Sequence, residues 1–92
     1  MSGTMPVQTN KYASVDEIIS GEEMQFPFVV TKFLDIIRND GQGSAQIRLD
    51  EGNPIRLEPG DYIGPWYDYS CSTIYIKCLT EGKTCRVRAV GL

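Results

Sequence analysis

Residues 72–90 read STIYIKCLTEGKTCRVRAV, and the alternation within them decides the fold class. Ile74, Ile76 and Cys78 alternate with Thr73, Tyr75 and Lys77, and then Cys85, Val87 and Ala89 alternate with Arg86 and Arg88. Side chains two apart share a face of a strand, so each half reads as a half-buried strand. A two-residue Glu81-Gly82 loop sets Thr80 opposite Lys83. Counting back, Cys78 faces Cys85, Ile76 faces Val87 and Ile74 faces Ala89, with every one of these side chains on one side. The expectation is a hairpin in which Cys78 and Cys85 form a hydrogen-bonded pair. That spacing suits a disulfide poorly, so both are expected to remain thiols.

Upstream, AQIRLDEGNPIRLEPGD (residues 45–61) repeats the pattern. Ile47 and Leu49 flank Arg48, and Ile55 and Leu57 flank Arg56. A turn near Gly52 pairs Leu49 with Ile55 and Arg48 with Arg56, with Pro54 beside the turn because it cannot donate to a ladder. The PGD turn then reverses the chain into Tyr62-Ile63. FPFVVTKFLDIIR (residues 26–38) also fits helical spacing at Val30, Phe33 and Ile37, but its Val, Thr, Ile and Phe content favours strand, and NDGQGS after it is a turn. Short strands with Gly, Pro, Asn and Asp between them predict an all-β fold, a small antiparallel β-sandwich or barrel of jelly-roll-like form, over residues 26–92. Residues 1–25 are polar and read as an N-terminal arm. Within it SVDEIIS offers Ser14 as a helix cap with Glu17 three residues on, the pattern of a short helix ending near Gly21.

Ninety-two residues make one domain. The charge is 9 − 12 = −3, which speaks against a general nucleic-acid binder. No apolar run is long enough to span a membrane, and MSGTMPVQTN has neither a basic start nor an apolar stretch, so the expectation is a cytoplasmic protein. Cys71, Cys78 and Cys85 are odd in number and spaced unlike a zinc site, and read as small apolar residues in or near a core. The chain has no histidine, which removes the Ser-His and Cys-His nucleophile pairs. GQG at 41–43 lacks the rest of either phosphate-binding glycine pattern. Asp50, Glu51, Glu58 and Asp61 flank turns and read as turn residues before they read as a carboxylate pair or a calcium site. The expectation is no enzyme, no cofactor and no metal.

Two features point to binding. Arg48, Arg56, Lys77, Arg86 and Arg88 all fall on the outward side of the alternation, five of the nine basic residues. The registers above set Lys77 against Arg86 and Arg48 against Arg56, like-charge pairs that cost stability unless an anion lies by them. The acidic stretch 16–23, of this chain or of a neighbouring subunit, is the nearest cover, ahead of nucleic acid or an acidic glycan. The second feature is LEPGDYIGPWYDYS (residues 57–70), which gathers Tyr62, Trp66, Tyr67 and Tyr69 beside Gly64 and Pro65. These aromatics suit a protein contact, a cap on the open end of the core, or a sugar or small ligand.

Two resemblances attach to these residues. The LEPGD turn resembles the Pro-Gly-Asp corners of cupin barrels, without that family's metal-binding histidines. The polar N-terminal stretch, then VVTKFLDIIRNDGQGSAQIRLDEGNPIRLEPGDYI, STIYIKC and CRVRAV, resembles the small all-β virion structural proteins of tailed bacteriophages, of the head decoration, cement or connector type. That likeness implies a non-enzymatic structural subunit acting through protein contacts, as a homo-oligomer or against other virion subunits. It also implies a place in a virion assembled in the host cytoplasm, with no membrane partner. No functional residue carries over by motif. The alternative is a lectin-like or cupin-like module that binds a glycan or small ligand without metal around Trp66, Tyr67 and Tyr69. An enzyme using the turn carboxylates is the weaker third.

Overall fold

Two antiparallel sheets facing each other account for residues 12–92, the residues that this computed structural model describes. The strands are β1 (Ala13–Ile19), β2 (Met24–Val30), β3 (Phe33–Asn39), β4 (Ala45–Leu49), β5 (Ile55–Leu57), β6 (Tyr62–Ile63), β7 (Trp66–Tyr67), β8 (Cys71–Cys78) and β9 (Cys85–Gly91). Sheet I runs β1-β9-β3-β6, with β7 also on β3, and sheet II runs β2-β8-β4-β5. The chain crosses from one sheet to the other at every connection except β4 to β5 and β6 to β7. With β6 and β7 taken as one interrupted strand, this is the eight-strand winding of a jelly roll. The all-β sandwich expected from the alternation is therefore the fold.

The core lies between the sheets. Phe28, Val30, Leu34, Ile37, Ile47, Ile74, Ile76 and Val87 are buried within it, each on the inward side of its strand's alternation. Asn39 and Ser44 are the buried polar residues among those described, and the Asn39 amide is fully used: Nδ2 donates to the Gly43 carbonyl at 2.8 Å and the Leu57 carbonyl at 3.0 Å, while Oδ1 accepts from the Gly41 amide at 2.9 Å. Asn39 ends β3 in sheet I and Leu57 ends β5 in sheet II, so one side chain ties the layers together. A buried amide with every group paired costs little and fixes one arrangement.

The expected hairpin at residues 72–90 is corrected. Ile74, Ile76, Cys78, Cys85, Val87 and Ala89 do all face the core, but β8 and β9 lie in different sheets. β8 is flanked by β2 and β4, and β9 by β1 and β3, so neither strand has an edge left for the other. The segment between them crosses the core thickness, roughly 10 Å between facing sheets. Cys78 and Cys85 are thus neighbours across the core. All three cysteines are free thiols, buried. Burial, the Cys78 thiol beside it and that group's charge push Cys85 up to about 12, and burial with the charge of Asp50 pushes Cys71 up to about 11.

The β4–β5 hairpin forms with a register two residues from the expected one: Ile47 pairs with Ile55 and Gln46 with Arg56. Asp50 is the reason. Its backbone takes a positive φ of 53°, and its carboxylate accepts the Ser72 and Thr73 amides at 2.9 and 3.0 Å. That contact holds the end of β4 on β8, where Leu49 pairs with Ile74, and leaves β5 to start later. A shift of two preserves the faces. The stretch 26–38 is strand as expected, but divided at Thr31-Lys32 between the sheets. The amides of Thr31, Lys32 and Phe33 all donate to the Leu92 carbonyl there, at 3.2, 2.6 and 3.0 Å.

The short helix at SVDEIIS is corrected too. All of these residues but the last, Ser20, lie in β1, which is paired with β9 over its whole length. A single-turn helix gains little alone, whereas as a strand Val15 and Ile19 become buried. The boundary expected at residue 25 moves with it, since residues 13–25 belong to the sandwich. The rest of the expected arm, residues 1–11, lies outside the described residues.

Candidate functional site

The outer face of sheet I is built from residues that alternation turns away from the core, and the register stacks them in rows. In the first row Tyr12 meets Phe33 edge-on with ring centres 6.1 Å apart, and Phe33 meets its cross-strand partner Tyr67 at 6.3 Å. Tyr67 is 73% exposed and Tyr12 55%. The next row is Ser14, Val90 and Ile36. The third is Asp16, Arg88, Arg38 and Tyr62. Between these rows runs a trough of about 450 Å³ lined by Ser14, Asp16, Ile36, Arg38, Arg88 and Val90. Its floor is apolar and one wall is charged.

The charged wall is closed on itself. Arg38 and Arg88 are cross-strand partners, a like-charge pair, and Asp40 lies between them, 2.8 Å from one guanidinium and 2.7 Å from the other. Burial alone would raise the Asp40 carboxyl, but the hydrogen bonds and charges of Arg38 and Arg88 hold it below its ordinary range. Arg86 grips Asp16 through two hydrogen bonds at 3.0 and 2.9 Å, and that grip lowers the Asp16 carboxyl as well.

The expected basic face is redistributed by the true registers. Neither Lys77–Arg86 nor Arg48–Arg56 is a pair: Lys77 lies opposite Gln46, and Arg48 opposite Tyr75. Arg48 reaches Glu23 at 3.2 Å and lies 4.1 Å over the Tyr75 ring, while Arg56 holds Glu58. Asp16 and Glu23 both come from the acidic stretch 16–23, so this chain supplies cover for Arg86 and Arg48 itself. Each arginine has a carboxylate within the chain. Lys77 forms no ion pair among the described residues.

The aromatic stretch divides. Trp66 is half-buried on β7, opposite Leu34, and packs on the core with its ring edge-on to Tyr69 at 5.4 Å. Burial raises the Tyr69 phenol accordingly, with the charges of Cys71 and Asp50 adding to it. Tyr67, the next residue along the strand, points the other way, onto the outer face. Tyr62 joins it there, 62% exposed. Gly64, at φ 113°, lies against Asp35 so closely that a Cβ would fall on the Asp35 carbonyl, which fixes where this stretch crosses β3.

The turn carboxylates serve the turns. Glu58 accepts from the Ser44 hydroxyl at 2.6 Å and from Arg56, Asp61 accepts the Glu58 amide at 2.9 Å, and Asp50 holds β8. Among the described residues no three Cys, Asp or Glu side chains converge as a metal site would need. The outer face of sheet I thus carries exposed aromatics, an apolar floor and, at one end, three arginines held by two carboxylates. Tyr12, Phe33, Ile36 and Val90 escaped the sequence reading. A signal was present in the Ile36-Ile37 doublet, because adjacent residues of a strand face opposite ways and one isoleucine must point outward.

The chain matches no family model, no curated protein and no solved structure.

Proposed function

We propose that this protein is a non-enzymatic structural subunit that assembles through the outer face of sheet I, in the manner of a decoration, cement or connector protein of a tailed-phage virion. The observation that carries the reading is the aromatic row Tyr12, Phe33 and Tyr67 running into the Ile36–Val90 floor on one outer face. A clustered apolar and aromatic patch on a solvated sheet is the composition of a protein contact. The in-chain pairing works against a polyanionic partner, because every described arginine already holds a carboxylate, with Arg38 and Arg88 sharing Asp40. Jelly rolls build viral capsid proteins, and also lectins and cupins, so the winding supports the reading only by analogy.

The occupant this reading expects first is a second copy, with other virion subunits next. Sedimentation velocity across a range of concentrations tests it. The wild type sediments as an oligomer and Tyr67→Ala as a monomer. A wild type that stays monomeric at every concentration, and gains no mass on any virion particle, overturns the proposal.

The trough favours one other reading. Its volume falls within the range of small-molecule sites, and an apolar floor beside paired guanidiniums suits a ligand with an apolar body and an anionic or hydroxylated end. Titration of the monomer with glycans and small metabolites, followed by chemical shifts of Ile36 and Val90, separates this module from an assembly subunit.

A further inference from the structure

The edges of the sandwich are unequal. On one side the sheets end in β5, three residues, and in β6 and β7, two residues each. Gly64 and Pro65 interrupt that edge, and proline supplies no donor for a further strand. On the other side the sheets end in β2 and β1, seven residues each. β2 carries Pro27 and loses register between Pro27 and Val30, two features that blunt an edge. β1 has neither. It pairs with β9 residue for residue from Ala13 to Ile19, and among the described residues nothing pairs with its other side.

Two side chains on β1 break the pattern: Ile18 is apolar on the outward side and 68% exposed, and Glu17 is charged on the inward side. Val15 and Ile19 face the core and are buried, and Glu17 stands between them on the same inward side, opposite the buried Val87, yet is exposed. Asp16, its neighbour, faces outward to Arg86. An inward-facing charge on an edge strand repels a like strand and leaves room for an unlike one. Homotypic pairing of β1 about a two-fold illustrates the repulsion. With Glu17 on the axis, Glu17 faces Glu17. With Asp16 on the axis, Asp16 faces Asp16. With Val15 or Ile18 on the axis, Glu17 faces Ala13 or Ile19 and finds no cation.

We infer that the free edge of β1 accepts an extended segment of a different protein, one that sets a lysine or arginine opposite Glu17 and apolar residues opposite Val15 and Ile19. Backbone hydrogen bonds along β1 supply the affinity and the cation supplies the selection, as in other strand additions. This contact uses the edge of sheet I and is independent of the outer face.

The test is a charge swap. The full chain carries, on a flexible Gly/Ser tether at its N-terminus, the strand Thr-Val-Thr-Lys-Thr-Val-Thr or the same strand with Glu at its centre. The tether brings the probe to roughly millimolar effective concentration, and the sequence reads alike in both directions. Hydrogen exchange of the amides of residues 13–19 is followed by NMR. The Lys strand slows the amides on the free edge by about tenfold or more, and the Glu strand does not. In Glu17→Lys, an exposed position, the preference reverses. Equal protection by both strands, or protection by neither, overturns the inference. So does edge protection in the untethered chain that grows with its concentration, since a second copy would then hold the edge. Loss of face docking in Tyr67→Ala leaves these amide rates unchanged, so the two proposals fail separately.

Discussion

The two outer faces of the sandwich start from the same alternation and end in different chemistry. On sheet II the outward rows are Pro27 and Thr73, then Gln25, Tyr75 and Arg48, then Lys77, Gln46 and Arg56, with a lone exposed Val29 at the β2 irregularity. Amides, long cations and one tyrosine roofed by Arg48 make a face that water covers well. On sheet I the corresponding positions hold Tyr12, Phe33, Tyr67, Ile36 and Val90, with charge confined to one end. A strand face needs only to be tolerated by water for the sheet to fold. Sheet II largely meets that requirement and sheet I goes against it at several adjacent positions, which supports the contact role proposed for that face.

The largest expected effect tests where this face stops and the core begins. Trp66→Ala, on the inward side of β7, lowers the stability of the isolated domain by about 3 kcal/mol, read as a denaturation midpoint, and leaves the association of the folded fraction intact. An unchanged midpoint would move Trp66 to the contact side. Tyr67→Ala, one residue along, acts in the opposite sense. It weakens association by about 2 kcal/mol, roughly thirtyfold in Kd, and shifts the midpoint by no more than about 0.5 kcal/mol.

Acid titration is the third handle. Asp16 and Asp40 on sheet I and Glu58 on sheet II have carboxyls held below their ordinary values of 3.8, 3.8 and 4.5. A carboxyl depressed in the folded state stabilises the fold above its unfolded pKa and loses that contribution as pH falls through its folded pKa. The melting temperature therefore holds steady above about pH 5 and falls below about pH 4. Asp40→Asn, which leaves Arg38 and Arg88 facing each other unneutralised, lowers the neutral-pH melting temperature and flattens the acid limb. An acid limb of wild-type steepness in Asp40→Asn would remove Asp40 from its place between the arginines. The smallest effect belongs to sheet II: Lys77→Ala changes stability and association by less than about 0.5 kcal/mol each. A larger loss of association there would break the contrast between the faces.

Much of this fold was legible because alternation reports which way a side chain points, and it did so correctly for β4, β5, β8 and β9. Partnership was not legible. Ile74, Ile76 and Cys78 bury equally well beside Val87 in one sheet or across the core from it, and Gly82 serves a hairpin and a sheet-to-sheet crossing alike. β1 was hidden differently, since Ser14 and Glu17 satisfy a capping pattern that long-range pairing with β9 overrides. Of the aromatic stretch, the sequence grouped Tyr62, Trp66, Tyr67 and Tyr69 without dividing Trp66 and Tyr69 from Tyr62 and Tyr67, because that division depends on where Gly64 crosses β3. The rest of the face, assembled from β1, β3 and β9, depends on registers that only the folded chain supplies.

The position of β9 has a consequence for how the molecule comes into being. β1 pairs with β9 alone, and β9 also holds β3, yet β9 is the last of these strands to leave the ribosome. Sheet II can collect β2, β4, β5 and β8 before β9 exists, whereas β1 waits unpartnered until β9 emerges, with Val15 and Ile19 uncovered. The face proposed for contact on sheet I thus appears only once β9 is in place. Chains arrested before Cys85 present sheet II and an unpaired β1 to the quality-control machinery of the cell.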